Sequence, residues 1–163
     1  MQVFYGAGVS GVTHDVNSAA TPNIEGKENV VPNDFSPSVL IVEDDAAFLF
    51  ILSEALSEGG YEVLTAANGR EALAIYGQNA DRIRLAIIDV MLPGMNGFTV
   101  AAEMRKSGSS LPFLFMSGYD TEEIRRQGVM DDIPDSNFFR KPFSYEVMLS
   151  RIRELLRDRK SAT

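Results

Sequence analysis

Short apolar runs alternate along the chain with longer segments whose apolar residues recur every three to four positions. The short runs cover residues 39–42, 62–66, 85–89, 111–116 and 137–140. Runs of this length that are apolar on both faces are typical of buried parallel strands, and the periodic segments are typical of amphipathic helices. Strands that alternate with helices form a parallel sheet, and right-handed crossovers place the helices on both of its faces. The pattern therefore predicts an α/β fold with a doubly wound parallel sheet.

Capping residues mark where the predicted helices begin and end. The first helix ends at the pair Gly59–Gly60, and the second begins at Asn68 with Glu71 as its capping partner. The fourth helix should be short, because Gly128 and Pro134 interrupt the segment after it. The expected helices span residues 46–58, 68–78, 98–107, 121–126 and 144–159. The buried stripe of the first helix is predicted to contain Phe48, Ile51, Leu52, Ala55 and Leu56.

The first 37 residues differ in composition from the rest of the chain. Residues 6–11 match the G-x-G-x-x-G pattern, but the helix and acidic second strand of a dinucleotide site do not follow. This segment holds too little apolar surface to offset its ordering entropy, so residues 1–37 are predicted to form a flexible tail. His14, the single histidine, is expected to be solvated. Residues 38–160 are predicted to form one folded domain.

Composition excludes several classes of function. The chain has no cysteine, which excludes thiolate chemistry. Its net charge of −8 argues against direct binding of nucleic acid. No apolar run approaches the roughly 18 residues of a membrane span, so membrane insertion is not expected. The first basic residue is Lys27, so the start lacks the basic end of a signal peptide, and a cytoplasmic location is expected.

Polar residues that could bind a ligand or take part in a reaction stand at the ends of four of the predicted strands. Glu43 and Asp44 follow the first strand, Asp89 ends the third, Ser117 follows the fourth and Lys141 follows the fifth. The carboxyl ends of parallel strands lie at one edge of the sheet, where open α/β sheets bind their ligands. These five side chains are therefore expected to meet in one cleft.

Three carboxylates in one cleft repel each other, by about 4 kcal/mol for two unit charges roughly 4 Å apart at an effective dielectric of 20. A divalent cation relieves this repulsion, and ligands that are all oxygen favour Mg²⁺, with Mn²⁺ as an alternative. A carboxylate such as Asp89, beside a metal ion and Lys141, is equipped to attack a phosphoryl group. Asp45 is predicted to cap the first helix rather than to bind the metal.

Four motifs carry a specific resemblance to a known family. They are the acidic pair Glu43–Asp44, the D-x-x-x-P-x-x-x-G spacing of Asp89–Gly97, Ser117–Gly118 and Lys141–Pro142. With these motifs, residues 38–159 resemble the receiver domain of two-component response regulators. The resemblance implies the flavodoxin-like (βα)5 fold with strand order 2-1-3-4-5.

The resemblance also implies a role for each site residue. Asp89 would be the phosphoacceptor for a histidine kinase or a histidine phosphotransfer protein. The metal ligands would be Glu43, Asp44, Asp89 and the backbone carbonyl of Met91.

Three residues would then respond to the phosphoryl group. Ser117 would be the switch hydroxyl, Lys141 its cationic partner and Phe138 the aromatic switch residue. The short fourth helix resembles receivers of hybrid histidine kinases more than receivers fused to DNA-binding domains. Output would then pass through contact with a downstream protein. The domain would promote only its own phosphorylation and dephosphorylation, so it is not expected to be an enzyme with turnover.

Two other classes of function remain as alternatives. A degenerate receiver would bind proteins without phosphorylation, but the acidic pair, Asp89 and Lys141 are all present. An Asp-dependent phosphatase resembling the haloacid dehalogenases would need a second acid two residues after Asp89, where this chain has Met91.

Overall fold

The computed structural model describes residues 36–108, 110–125 and 133–161. The predictions for most of the tail, including the glycine pattern at residues 6–11 and His14, lie outside the described residues. The same holds for the end of the predicted fourth helix at Arg126. Within the described part of the chain, no helix is both long enough and apolar enough to cross a membrane.

A five-stranded sheet forms the centre of the domain. Its strands are β1 (Ser38–Val42), β2 (Glu62–Ala66), β3 (Ile83–Asp89), β4 (Phe113–Ser117) and β5 (Phe138–Arg140). Their order in the sheet is β2-β1-β3-β4-β5, and each neighbouring pair is parallel. The predicted α/β fold and strand order are confirmed. The order reverses beside β1 and β3, so the carboxyl ends of these two strands border the crevice where such sheets bind ligands.

The helices follow the strands in strict alternation. They are α1 (Ala46–Glu58), α2 (Gly69–Asn79), α3 (Gly97–Lys106), α4 (Thr121–Arg125) and α5 (Tyr145–Ser161). The predicted cap of α2 is present, since Asn68 Oδ1 accepts a hydrogen bond from the Glu71 backbone. At the start of α4, Asp120 Oδ1 accepts a hydrogen bond from the Glu123 backbone in the same way. The Glu71 carboxylate bonds the amide of Ala67, one residue before the expected position.

The sheet separates two apolar clusters, one on each face. One cluster packs β-strand residues against α2, α3 and α4, through residues such as Tyr76, Met104 and Ile124. The other packs the opposite face against α1 and α5, through residues such as Leu56 and Ile152. Since both faces are covered, β1 and β3 are buried almost throughout, which explains their apolar sequences.

Several predicted boundaries were wrong by one or two residues. The third strand begins at Ile83 rather than Leu85, and the fourth spans Phe113–Ser117 rather than residues 111–116. Asn137 belongs to a 3-10 turn before β5, because its amide bonds Pro134 O instead of the sheet.

The predicted buried stripe of α1 needs one correction. Ile51 is 50% exposed, whereas Leu52 and Leu56 are fully buried. Adjacent residues lie about 100° apart around a helix, so Ile51 falls outside the face centred on Leu52. Leu49, half-buried, packs against the core in its place.

Candidate acidic site at the carboxyl edge of the sheet

Asp89 lies at the carboxyl end of β3, between β1 and β4, and is 6% exposed. Its Oδ1 accepts a hydrogen bond of 2.7 Å from the backbone N–H of Met91. The loop that follows needs two glycines for different reasons. Gly94 has a φ of 76°, in the left-handed region, and a Cβ at Gly97 would lie 2.2 Å from the carbonyl oxygen of Asp89. The loop therefore holds α3 directly against the backbone of Asp89.

One lysine joins two buried carboxylates. Lys141 Nζ lies 2.6 Å from Glu43 Oε2 and also donates to Asp89 Oδ2. The side chains of Glu43 and Asp89 are 1% and 8% exposed, and that of Lys141 is 22% exposed. Charges removed from water to this extent are tolerated only with close partners. The three residues thus form one ionic unit at the end of three strands.

The pKa values reflect the shared cation. Burial raises the pKa of the Glu43 carboxyl above its ordinary value; the hydrogen bond from Lys141 opposes this rise, and the charge of Asp89 adds to it. Burial would lower the pKa of Lys141, but the hydrogen bonds and the negative charges of Asp89 and Glu43 together outweigh burial and raise that pKa. A single ammonium carries one positive charge against the two carboxylates of Glu43 and Asp89. The site retains negative charge and favours a further cation.

Asp44 completes the set of carboxylates. Among the described residues, Glu43, Asp44 and Asp89 each offer an oxygen within 4.8 Å of the others. Oxygens at neighbouring positions of a Mg²⁺ octahedron lie about 3 Å apart, so the three carboxylates would move closer together to bind this ion. Asp44 is exposed, which leaves the group open to solvent. We refer to Glu43, Asp44, Asp89 and Lys141 as the acidic pocket.

Asp45 does not join the acidic pocket. Its Oδ1 accepts hydrogen bonds from the backbone N–H groups of Ala47 (2.9 Å) and Phe48 (3.0 Å). These bonds satisfy two amides at the start of α1, so the predicted capping role is confirmed.

Ser117 lies beside the acidic pocket but is bonded differently. It is fully buried, and its Oγ accepts a 3.1 Å hydrogen bond from the backbone N–H of Tyr119. Asp89 pairs with Met116 in the sheet, so Ser117 is one residue beyond the neighbour of Asp89. The carbonyl of Ser117 accepts a 2.7 Å bond from the backbone N–H of Lys141. The structure therefore brings Ser117 and Lys141 together at the same edge.

Two aromatic residues, one at the start of β5 and one in the first turn of α1, complete the description of the site. Phe138 is half-buried and packs against the cluster on the α2 and α3 face. Phe48, interpreted from the sequence as a core residue alone, lies with its ring centroid 4.4 Å from Lys141 Nζ. The sequence gives only a weak signal for this contact. It places Phe48 in the first turn of α1, and therefore near a strand end, but does not show that the ring meets Lys141.

Similarity to known proteins defines the family of this chain. Residues 39–153 match the response regulator receiver domain family. The chain belongs to this family. It is 37% identical over 119 residues to the response regulator MprA of Mycolicibacterium vanbaalenii, covering 73% of this chain and 50% of that protein. The chain thus spans about half the length of this curated relative.

Solved structures agree with this assignment. The receiver domain of the hybrid histidine kinase CckA matches with 33% identity and a TM-score of 0.59, covering 73% of this chain and 98% of that one. The response regulator TrrA of Thermotoga maritima, solved with Mg²⁺ and BeF, matches with 27% identity and a TM-score of 0.60, covering 72% of this chain and 97% of that one. The predicted family and fold are confirmed, including the likeness to a hybrid-kinase receiver.

Proposed function

We propose that this receiver domain accepts a phosphoryl group on Asp89 and signals through the resulting change of conformation. The observation that carries the proposal is the position of Asp89: a nearly buried carboxylate at a strand end, held by Lys141 and facing two further acids. In the transfer, a carboxylate oxygen of Asp89 forms a bond to phosphorus as the N–P bond of a phosphohistidine breaks. The departing imidazole keeps the electron pair and takes up a proton.

The donor set of the acidic pocket suits Mg²⁺, with Mn²⁺ as a second choice, because each ligand is a hard oxygen. Glu43, Asp44, Asp89 and the backbone carbonyl of Met91 would hold the ion. When bound, the ion supplies positive charge against the oxygens of the transferred group. TrrA, solved with Mg²⁺ and BeF, supports the assignment.

The chain's own groups complete the site. Lys141, already bonded to Asp89, would donate to an oxygen of the phosphoryl group, and the Ser117 hydroxyl would donate to another. Ser117 Oγ also accepts the hydrogen bond from the Tyr119 amide, so a movement of this hydroxyl toward the phosphoryl group would pull on the loop before α4. Phe138, half-buried beside β4, would turn inward as this loop moves.

The partners follow from the same site. The donor would be a histidine kinase or a histidine phosphotransfer protein, and the receiver of the signal would be a downstream protein, not nucleic acid. The domain promotes its own phosphorylation and dephosphorylation without turnover of a separate substrate. We place it in the cytoplasm.

The test is chemical. Acetyl phosphate with Mg²⁺ should label the protein at one acid-labile site, detected by intact mass and mapped to Asp89. Asp89→Asn should remove the label, whereas Asp45→Asn, which keeps the helix cap, should not. Undiminished labelling of Asp89→Asn would overturn the assignment. A degenerate receiver, the alternative function, would take up no label at all.

A further inference from the structure

The ammonium of Lys141 has a third neighbour besides the two carboxylates. An ammonium carries three N–H bonds, and Lys141 directs hydrogen bonds to Glu43 and to Asp89. The ring of Phe48 lies 4.4 Å from Nζ, within the roughly 6 Å range of a cation–π contact. A ring face carries partial negative charge, so the contact is attractive and adds no ionisable group to the pocket.

Two features hold the Phe48 ring in this position. The backbone N–H of Phe48 bonds the capping carboxylate of Asp45, which places the residue in the first turn of α1. The ring also meets Phe143 edge-on, with centroids 5.8 Å apart and an interplanar angle of 84°. Phe143 lies two residues after Lys141 and packs edge-on against Phe139 and Tyr145. The ring is therefore braced from the same loop that carries the lysine.

We propose that Phe48 is a positioning residue whose ring holds the Lys141 ammonium in the acidic pocket. The role rests on the proposed function, because it concerns the cation that meets the phosphoryl group. When a metal ion takes up the charge of Glu43 and Asp89, the attraction of these carboxylates for Lys141 weakens. The ring is uncharged and does not bind the metal, so its hold on the ammonium persists through that change.

The first measurement is the rate of phosphorylation of the full chain by acetyl phosphate at saturating Mg²⁺. Phe48→Leu should lower this rate roughly fivefold, as expected for the loss of one cation–π contact. Phe48→Tyr keeps a ring and should stay within about twofold of wild type. Phe50→Leu is the matched control: it makes the same change in the same helix at a side chain that is 66% exposed, and it should have no effect.

A double-mutant cycle separates positioning from packing. In a Lys141→Met background, Phe48→Leu should cause no further loss of rate. An equal loss in both backgrounds would mean that the ring acts through the fold, and would overturn the proposal.

The second measurement does not depend on phosphorylation. A ring over the lysine should shift the Lys141 ε-methylene protons upfield in NMR spectra. This shift should vanish in Phe48→Leu and persist in Phe48→Tyr and Phe50→Leu. Unchanged ε-methylene resonances in Phe48→Leu would overturn the inference even if the protein is phosphorylated. A wild-type protein that shows the shift but takes up no phosphoryl group would overturn the proposed function instead, and leave the contact itself established.

Discussion

The carboxyl ends of β1 and β3 differ from the carboxyl end of β4 in how their polar side chains are satisfied. In the acidic pocket, Glu43 and Asp89 depend on Lys141, a residue distant in sequence. At β4, the Ser117 hydroxyl is satisfied by the amide of Tyr119, two residues along the same loop. A buried charge requires an oppositely charged partner that the fold brings close, whereas a hydroxyl can form a hydrogen bond with a backbone group nearby in the sequence. The pocket is thus assembled before any ligand binds. The Ser117 loop (residues 117–120) can change its conformation at a lower cost in free energy.

The largest expected effect comes from removing the shared cation. Lys141→Met leaves Glu43 and Asp89 buried without their partner and should cost about 3 kcal/mol of stability. Mg²⁺ should recover part of this loss by replacing the missing charge. Urea unfolding with and without Mg²⁺ measures both. The control is Arg82→Met, which removes only an exposed ion pair with Glu62 and should cost below about 1 kcal/mol. Equal costs for the two variants would show that the acidic pocket does not depend on Lys141 more than an exposed ion pair depends on its cation.

Metal binding concerns the acidic pocket alone. Mg²⁺ at about 100 times its dissociation constant should stabilise the fold by roughly 2.7 kcal/mol, because it binds only the assembled pocket. Asp44→Asn should reduce this gain much more than Asp45→Asn, since Asn also caps helices well. Thermal unfolding with a Mg²⁺ titration gives the ranking. The reverse ranking would show that the metal-binding pair is assigned one residue too early.

Phosphorylation should act on the other region. Amide exchange should change by about tenfold, or roughly 1.4 kcal/mol, within residues 118–138, because Ser117 and Lys141 are drawn toward the phosphoryl group at both ends of this segment. Residues 46–80, which cover α1 and α2, should keep their protection. Hydrogen exchange with acetyl phosphate tests this, with Asp89→Asn as the unphosphorylated control. Changes confined to residues 46–80 would place the response at α1 and α2 instead.

The smallest effect comes from an exposed charge at the amino ends of β1 and β2. Hydrogen bonds from Ser38 (2.5 Å) and then from Arg82 lower the pKa of Glu62. A lowered folded-state pKa contributes stability above the unfolded value, near 4.5, and this contribution is lost as the pH falls through the folded value. The stability difference between wild type and Ser38→Ala should therefore shrink in acid.

Urea midpoints between about pH 3 and pH 7 measure this difference. In a Glu62→Gln background the effect of Ser38→Ala should no longer depend on pH. A pH dependence that survives there would assign the effect to another group.

Local physics explains which predictions were confirmed. The positions of strands and helices and the helix caps depend on hydrophobic period and on bonds between residues two to four apart. The strand order was predicted from the family resemblance instead. The separation of Asp45 from the acidic pocket is an example, since a cap is decided within one helical turn. Ile51 was misplaced because a stripe of apolar residues does not by itself identify the face that the sheet covers.

The sequence alone determined that acids, a hydroxyl and a lysine stand at strand ends, because strand ends are readable from apolar runs and their polar successors. It did not determine how these groups pair. Glu43 and Lys141 are 98 positions apart, and their 2.6 Å contact depends on strand order, register and rotamers together. The ring of Phe48 beside the ammonium is equally a product of packing between α1 and the loop after β5. Ionic and cation–π contacts change strongly over a few ångströms, so only the tertiary structure decided which residue holds the lysine.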